Sequence, residues 1–297
     1  MIYNVDSNVL LSPKTKDGAD TDILYDKNGA QVFAGGIDYR TYTKTAYCGL
    51  ALANMQGFDI NSGIIFQFRA GSAVNNTMCT INAANGSIIQ NNIAASSEHG
   101  DSASFSKEKY NEADDYPLLY VTSDTNPAKV YVNRVTQTTS SLVKTLVFPL
   151  DKTGYYAAHA YDEENGVMYM IGYSERNYLS SNDGSNKTVI SRWDMTELND
   201  NNDGTYTPAY ISRTDREFIY CTQGQQYKNG MIWIASGYTG SAESYIYALN
   251  PDTGETVVTI DLETTTEVEG LTFISGNEMI VGLAGGTYTK YTFGKRD

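Results

Sequence analysis

Apolar residues in this chain fall in runs of four to eight, bounded by Asn, Asp, Gly and Ser, and several runs alternate with Thr, Lys or Asn. Such runs are short for buried helices, and the alternation turns one face of a strand inward. The clearest predicted strands are Gly63–Arg69 (GIIFQFR), Leu118–Thr122 (LLYVT), Lys129–Arg134 (KVYVNR), Gly166–Gly172 (GVMYMIG), Met231–Ala235 (MIWIA) and Ser244–Leu249 (SYIYAL). Asn165-Gly166, Asp203-Gly204, Asn229-Gly230 and Asn250–Gly254 supply hairpin turns, because Gly and Asn tolerate the positive φ that tight turns require. No segment keeps a helical period over three turns, so the expected fold class is all-β.

The strands recur. A polar residue followed by Gly, with a second Gly seven positions after the first residue opening an apolar strand, occurs at Gln56-Gly57 with Gly63, Gln223-Gly224 with Gly230 and Glu269-Gly270 with Gly276. His159-Ala160 with Gly166 keeps the offset with Ala in place of Gly, and His99-Gly100 opens a similar strand before a polar insertion at Lys107–Asp115. Successive starts lie 43, 60, 64 and 46 residues apart. A period of this size marks a propeller. The expectation is one domain over 1–297: five four-stranded antiparallel blades around a central channel, starting near 54, 98, 157, 219 and 267. Six blades is the second choice and a β-sandwich the third. The last unit has only three strands, at 268–274, 277–283 and 287–293. The N-terminal segment 1–50, with strand-like runs at Asn8–Ser12 and Gln31–Ala34, is expected to close the ring.

If each pair starts an innermost strand, Gln56, His99, His159, Gln223 and Glu269 form a polar ring at one channel mouth, with Asp101, Gln225 and Glu267 as supporting residues. Gly57, Gly100, Gly224 and Gly270 are then structural, since inner strands converge where a side chain has no room. The ring either hydrogen-bonds to itself and to water, or binds a small polar ligand. A divalent cation held by His99, His159 and Glu269 is a third tenant, because imidazole and carboxylate both ligate such ions; no other cofactor is expected. In Glu98-His99-Gly100-Asp101, alternation on an extended strand would put Asp101 beside His99. Asn199–Gly204 has the opening of a calcium loop but Tyr210 where the loop requires Glu, so it reads as a hairpin tip. Ser180–Lys187 reads as a rim loop. Tyrosines such as 169, 173, 178, 227 and 238 serve blade packing, and an exposed fraction suits carbohydrate rings.

Charge narrows the partners. Lys plus Arg number 21 against 35 Asp plus Glu, a net −14 that disfavours nucleic acid and anionic membrane. No apolar stretch is long enough for a membrane helix, and Met1–Asn4 opens without a basic, apolar leader. Cys48, Cys79 and Cys221 are odd in number and form no CxxC pair, so neither a disulfide framework nor a zinc ribbon is expected.

Met55-Gln56-Gly57-Phe58-Asp59 leading into Ile64–Gln67, Glu98-His99-Gly100-Asp101, and Glu267–Phe273 together resemble the propeller of phage receptor-binding proteins and the teichoic acid biosynthesis protein C and helveticin J group. The resemblance spans 50–293. It implies a five-bladed propeller that attaches to a cell-surface glycopolymer, and it brings no catalytic residues. The chain also looks like extracytoplasmic propellers of gut anaerobes. The expected function is therefore a non-enzymatic phage-tail or receptor-binding module, located on a virion or cell surface, whose partners are a host glycan or other virion proteins, with a homo-oligomer as one assembly. The alternatives are a bacterial surface propeller that binds glycan or protein, and a polysaccharide lyase or hydrolase using the channel-mouth His and Glu residues.

Overall fold

A computed structural model describes residues 4–6, 9–12, 23–26, 31–34, 37–49, 54–70, 76–123, 125–179, 184–238 and 244–295. Of the segments singled out above, 1–3, 7–8, 13–22, 27–30, 35–36 and 50 of the N-terminal segment and 180–183 of the rim loop lie outside them. The chain is all-β apart from one four-residue helix, Leu150–Thr153. Its strands begin with β1 (Asn4–Asp6), β2 (Val9–Ser12), β3 (Ile23–Asp26), β4 (Gln31–Ala34) and β5 (Ile37–Gly49). A first antiparallel unit follows in β6 (Met55–Asn61), β7 (Ile64–Arg69), β8 (Thr77–Asn82) and β9 (Ile88–Ala94), and a second in β10 (Ser102–Phe105), β11 (Leu119–Ser123), β12 (Ala128–Val135) and β13 (Ser140–Phe148). The third is β14 (Tyr155–Asp162), β15 (Val167–Tyr173), β16 (Thr188–Asp200) and β17 (Thr205–Arg216); the fourth is β18 (Thr222–Lys228), β19 (Met231–Ser236), β20 (Tyr245–Leu249) and β21 (Thr256–Asp261). The last run is β22 (Val268–Ser275), β23 (Glu278–Leu283) and β24 (Thr287–Lys295).

Two of the sheets are composite. The second and third units join edge to edge through a short parallel contact, Thr145 with Thr205 and Leu146 with Tyr206, giving one eight-stranded sheet. In the other, β24 takes β5 as its antiparallel neighbour, and β4 to β1 continue outward. The strand completing the last unit is thus Ile37–Gly49. Asn8–Ser12 and Gln31–Ala34, the sequence candidates, contribute β2 and β4 further out in the same sheet. The Thr, Tyr and Lys content of β5 hid it, because this strand exposes most of its middle.

The second strand of each unit explains the continuous apolar runs. Ile64–Phe68 of β7, all of β11 and all of β19 are buried on both faces. Strands read as uninterrupted hydrophobic runs when other layers cover both sides. Those layers are neighbouring units. Phe66 and Phe68 pack with Leu119 and Val121, Tyr120 and Val130 with Met168 and Met170, and Ile171 with Ile232 and Ile234. Trp233 packs with Leu271 and Tyr39, and Phe58 packs with Ile280 and Tyr288. Each core cluster is shared by two successive units, and the last of these contacts brings the final unit against the first. Where β5 joins β24, Tyr39 meets Phe293 of β24 and Trp233 of the fourth unit, both at 4.9 Å between ring centroids, and its hydroxyl accepts from Asn229 Nδ2.

Candidate functional site

Four of the five leading strands open with a bulge. Met55 pairs with Arg69 and Phe58 with Gln67, so three steps on β6 match two on β7. The same happens on β18 between Thr222 and Gln225 and on β14 between Tyr155 and Ala158, while β22 gains a residue between Val268 and Gly270. A bulge leaves its extra residue out of the ladder and re-aims its side chain. The residues so released are Gln56-Gly57, Tyr156-Ala157, Gln223-Gly224 and, on β22, Glu269 alone, directly before the paired Gly270. The second position must be small because the leading strands meet there. A Cβ on Gly57 would lie 2.7 Å from the Gly100 carbonyl oxygen, and one on Gly224 would lie 2.5 Å from Gly270 Cα.

This register corrects the third member of the expected polar ring. The counterpart of Gln56-Gly57 is Tyr156-Ala157, three residues before His159-Ala160. The β14–β15 hairpin turns through 163–166, whereas the first unit turns through Ser62 and Gly63 alone, and β14 is one residue longer beyond its bulge. Counting back a fixed offset from Gly166 therefore lands inside the strand.

The bulges, with the turn that precedes β10, surround a cavity of about 530 Å³. Gln56, His99, Gln223 and Glu269 line it, as do Asp101 and Glu267. Tyr156, Tyr173, Tyr178 and Tyr238 form its aromatic part, and Thr222 and Cys221 complete the side nearest β18. His159 and Gln225 are absent from the lining. His159 is fully buried, with Ser104 Oγ 2.7 Å from Nε2 and the Thr122 hydroxyl on Nδ1. Burial drives its pKa down to about 3, so the ring is a neutral core histidine. Gln225 is buried in the interior, where Ser102 Oγ lies 3.0 Å from its carbonyl oxygen and 3.1 Å from that of His159. His99, His159 and Glu269 thus do not converge as a metal site, and among the described residues no group of three His, Cys, Asp or Glu could hold a metal ion.

His99 and Asp101 do pair, with 2.5 Å between Nδ1 and Oδ1. Their geometry differs from the extended strand expected. Glu98 has φ +49° and Gly100 φ +80°, so the segment is a turn, and Glu98 is held elsewhere by Ser123 Oγ and the Tyr131 hydroxyl. Gly100 is needed there for its conformation and because a Cβ would meet Phe68 at 2.8 Å. Backbone in the left-handed region also occurs at two lining residues, Tyr156 (φ +51°) and Cys221 (φ +36°). Tyr156 N–H donates to Asn126 Oδ1 at 3.0 Å and Cys221 N–H to the Tyr178 carbonyl at 3.1 Å, which fixes both strained residues against the cavity.

The described lining brings three carboxyl groups near one another. Burial pushes the Glu269 carboxyl up to about 8, the negative charges of Glu267 and Asp101 add to this, and His99 opposes it. The Cys221 thiol is pushed up to about 12 by burial and by the same carboxylates, which gather around it. Gln223 Nε2 donates to Glu267 Oε1 at 2.9 Å, and the Tyr173 hydroxyl donates to Thr222 Oγ1 at 3.0 Å while accepting from Thr222 N–H at 2.6 Å. Gln56 Oε1 and Glu269 Oε2 are buried without a hydrogen-bond partner among the described residues. Tyr156 was the lining residue hardest to find from sequence; its signal is the small residue Ala157 directly after it, close to the start of β15's partner strand. No protein-family model matches the chain, and no curated protein matches it.

Proposed function

We propose that the chain is a five-bladed β-propeller serving as a non-catalytic binding module, and that its channel-mouth cavity takes a saccharide unit of a cell-surface glycan. The cyclic sharing of core clusters among five four-stranded units supports the propeller reading. One observation carries the binding reading: four tyrosines line a single cavity together with Gln56 and Glu269, each of which has a buried oxygen without a hydrogen-bond partner among the described residues. Aromatic faces stack on the apolar faces of sugar rings, and buried acceptors left without a donor gain by meeting a ligand hydroxyl or amine. Display on a phage tail or on a bacterial surface fits such a module. A polysaccharide-acting enzyme is the second reading, favoured by the raised Glu269 carboxyl beside the His99–Asp101 pair.

Retention of labelled protein on a panel of bacterial cells, before and after chemical removal of surface glycopolymers, tests both. The expected result is retention that is lost on stripping and weakened by Tyr238→Ala, with the glycan left intact. Retention indifferent to stripping would overturn glycan binding. Release of saccharide fragments that stops in Glu269→Gln would favour the enzyme.

A further inference from the structure

We propose that the Asn85-Gly86 turn is a self-modification site, where the chain converts Asn85 to aspartate and isoaspartate through a succinimide, and that the fold shields Asn165-Gly166 and Asn229-Gly230 from the same reaction. The inference stands apart from the ligand cavity. Three Asn-Gly pairs fall among the described residues, and a fourth, Asn28-Gly29, lies outside them. In each pair the nucleophile is the backbone nitrogen after Asn, and glycine, lacking Cβ, leaves that nitrogen open to the side-chain carbon. The dipeptide chemistry is the same at all three, so the surroundings decide between them.

Asn85 is exposed in the turn between β8 and β9. Its Oδ1 accepts from Ser87 N–H at 2.9 Å, while its Nδ2 donates to no described residue. A backbone donor on Oδ1 polarises the side-chain carbonyl and stabilises the oxyanion that forms when Gly86 N attacks Cγ. Gly86 N loses its proton to hydroxide and bonds to Cγ, Nδ2 takes a proton from water and leaves as ammonia, and water then opens the imide at either carbonyl. One amide and one water become one carboxyl group and one ammonia, with nothing oxidised or reduced. Gly86 N–H donates to the Asn82 carbonyl at 2.8 Å, so the turn must loosen for attack, which keeps the folded rate below that of the unfolded chain. The other two pairs are tied through the leaving nitrogen. Asn165 Nδ2 donates to Asp162 Oδ2 at 2.8 Å. Asn229 is half-buried, and its Nδ2 donates to the Tyr39 hydroxyl of β5 and, at 2.9 Å, to the Gly276 carbonyl in the β22–β23 turn. Expelling that nitrogen breaks both bonds. Ala83 N–H donates to the Gly63 carbonyl at 2.9 Å, which sets the Asn85 turn beside the β6–β7 turn, at the opposite end of the first unit from the Gln56 bulge. Conversion there leaves the cavity as it is.

The test is incubation of the folded full chain in mildly alkaline buffer, with mass-spectrometric peptide mapping of each asparagine and chromatographic separation of aspartate from isoaspartate. Asn85 is expected to convert first, at least about tenfold faster than Asn229, the difference that two hydrogen bonds account for, with Asn165 between them. The same incubation in urea should bring the three pairs to similar rates. Tyr39→Phe keeps the buried ring and removes the hydroxyl, so it should speed Asn229 several-fold and leave Asn85 unchanged. Conversion of Asn165 or Asn229 ahead of Asn85, or level with it, in the folded chain would overturn the assignment. A ranking that persists in urea would overturn it too, by placing the difference in the flanking sequence. So would an Asn85 that stays intact in the folded chain while the chain in urea is fully converted.

Discussion

At the residue scale, buried ionisable groups tie the site to stability. Glu269 holds its proton to about pH 8 in the folded chain but releases it near 4.5 when unfolded. Between those values the folded state binds more protons than the unfolded state, so stability falls as pH rises through this window. Asp59, raised to about 6 by burial, and Glu163, raised to about 7, act in the same direction over narrower windows. His159 acts oppositely. Its imidazole charges near 6.5 when unfolded and only near 3 when folded, so its contribution is lost as pH falls from 6.5 toward 3. The difference between wild type and Glu269→Gln isolates one term. The amide mimics the protonated acid, so the variant should match wild type at pH 5 and exceed it by a few kcal/mol at pH 9, in urea unfolding. A constant offset at both pH values would mean that Glu269 is not the proton-holding group. None of this is visible in sequence, where both histidines fell on repeat positions and looked alike. Burial separates them: His159 is sealed, while His99 stands at the cavity.

Elements were more legible than side-chain positions. The strands GIIFQFR, KVYVNR, GVMYMIG and MIWIA are found within a residue or two of where apolar runs and turn residues place them, because two-sided burial writes itself directly into composition. Hairpin length was not legible, and it displaced the ring assignment in the third unit from Tyr156 to His159. The glycines after the bulged residues are the element-level signature that did survive. Gly57 and Gly224 face backbone of the adjacent leading strand at 2.7 and 2.5 Å, which cannot move aside, whereas Gly270 faces the Phe58 ring at 3.1 Å and Gly63 faces nothing within 4 Å. Gly57→Val and Gly224→Val should each cost about 3 kcal/mol or more. Gly63→Ala should cost only about 1 kcal/mol, for its φ of +75°. Gly270→Ala should fall between them as Phe58 shifts. Thermal unfolding of the four variants measures this order, and equal effects would mean that the leading strands do not meet at the bulges.

For the whole molecule, the consequential feature is the seam that joins the two ends of the chain. β5 pairs with β24, and Tyr39 inserts its ring against Trp233 and Phe293. Sequence indicated that the last unit lacked a strand and that segment 1–50 supplies it, as β5 does, but the runs it singled out, Asn8–Ser12 and Gln31–Ala34, lie further out, since the pairing depends on one aromatic anchor and a backbone ladder instead of an apolar run. An array with open ends can fray from either one, with each unit reporting its own neighbours. On the propeller reading proposed above the units have no free end from which to fray, so loss of the seam should lower the stability of every unit together. The two tryptophans report on different places: Trp193 in β16, packed with Phe148, and Trp233 in β19, at the seam. Tyr39→Ala, which empties a site buried to 1% exposure, should cost about 4 kcal/mol. Followed by fluorescence in Trp193→Phe and Trp233→Phe backgrounds, that loss should move both urea midpoints equally, with wild-type slopes retained. A shift confined to the Trp233 signal would show that the seam stabilises only its own neighbourhood, and that the five units do not unfold as a ring.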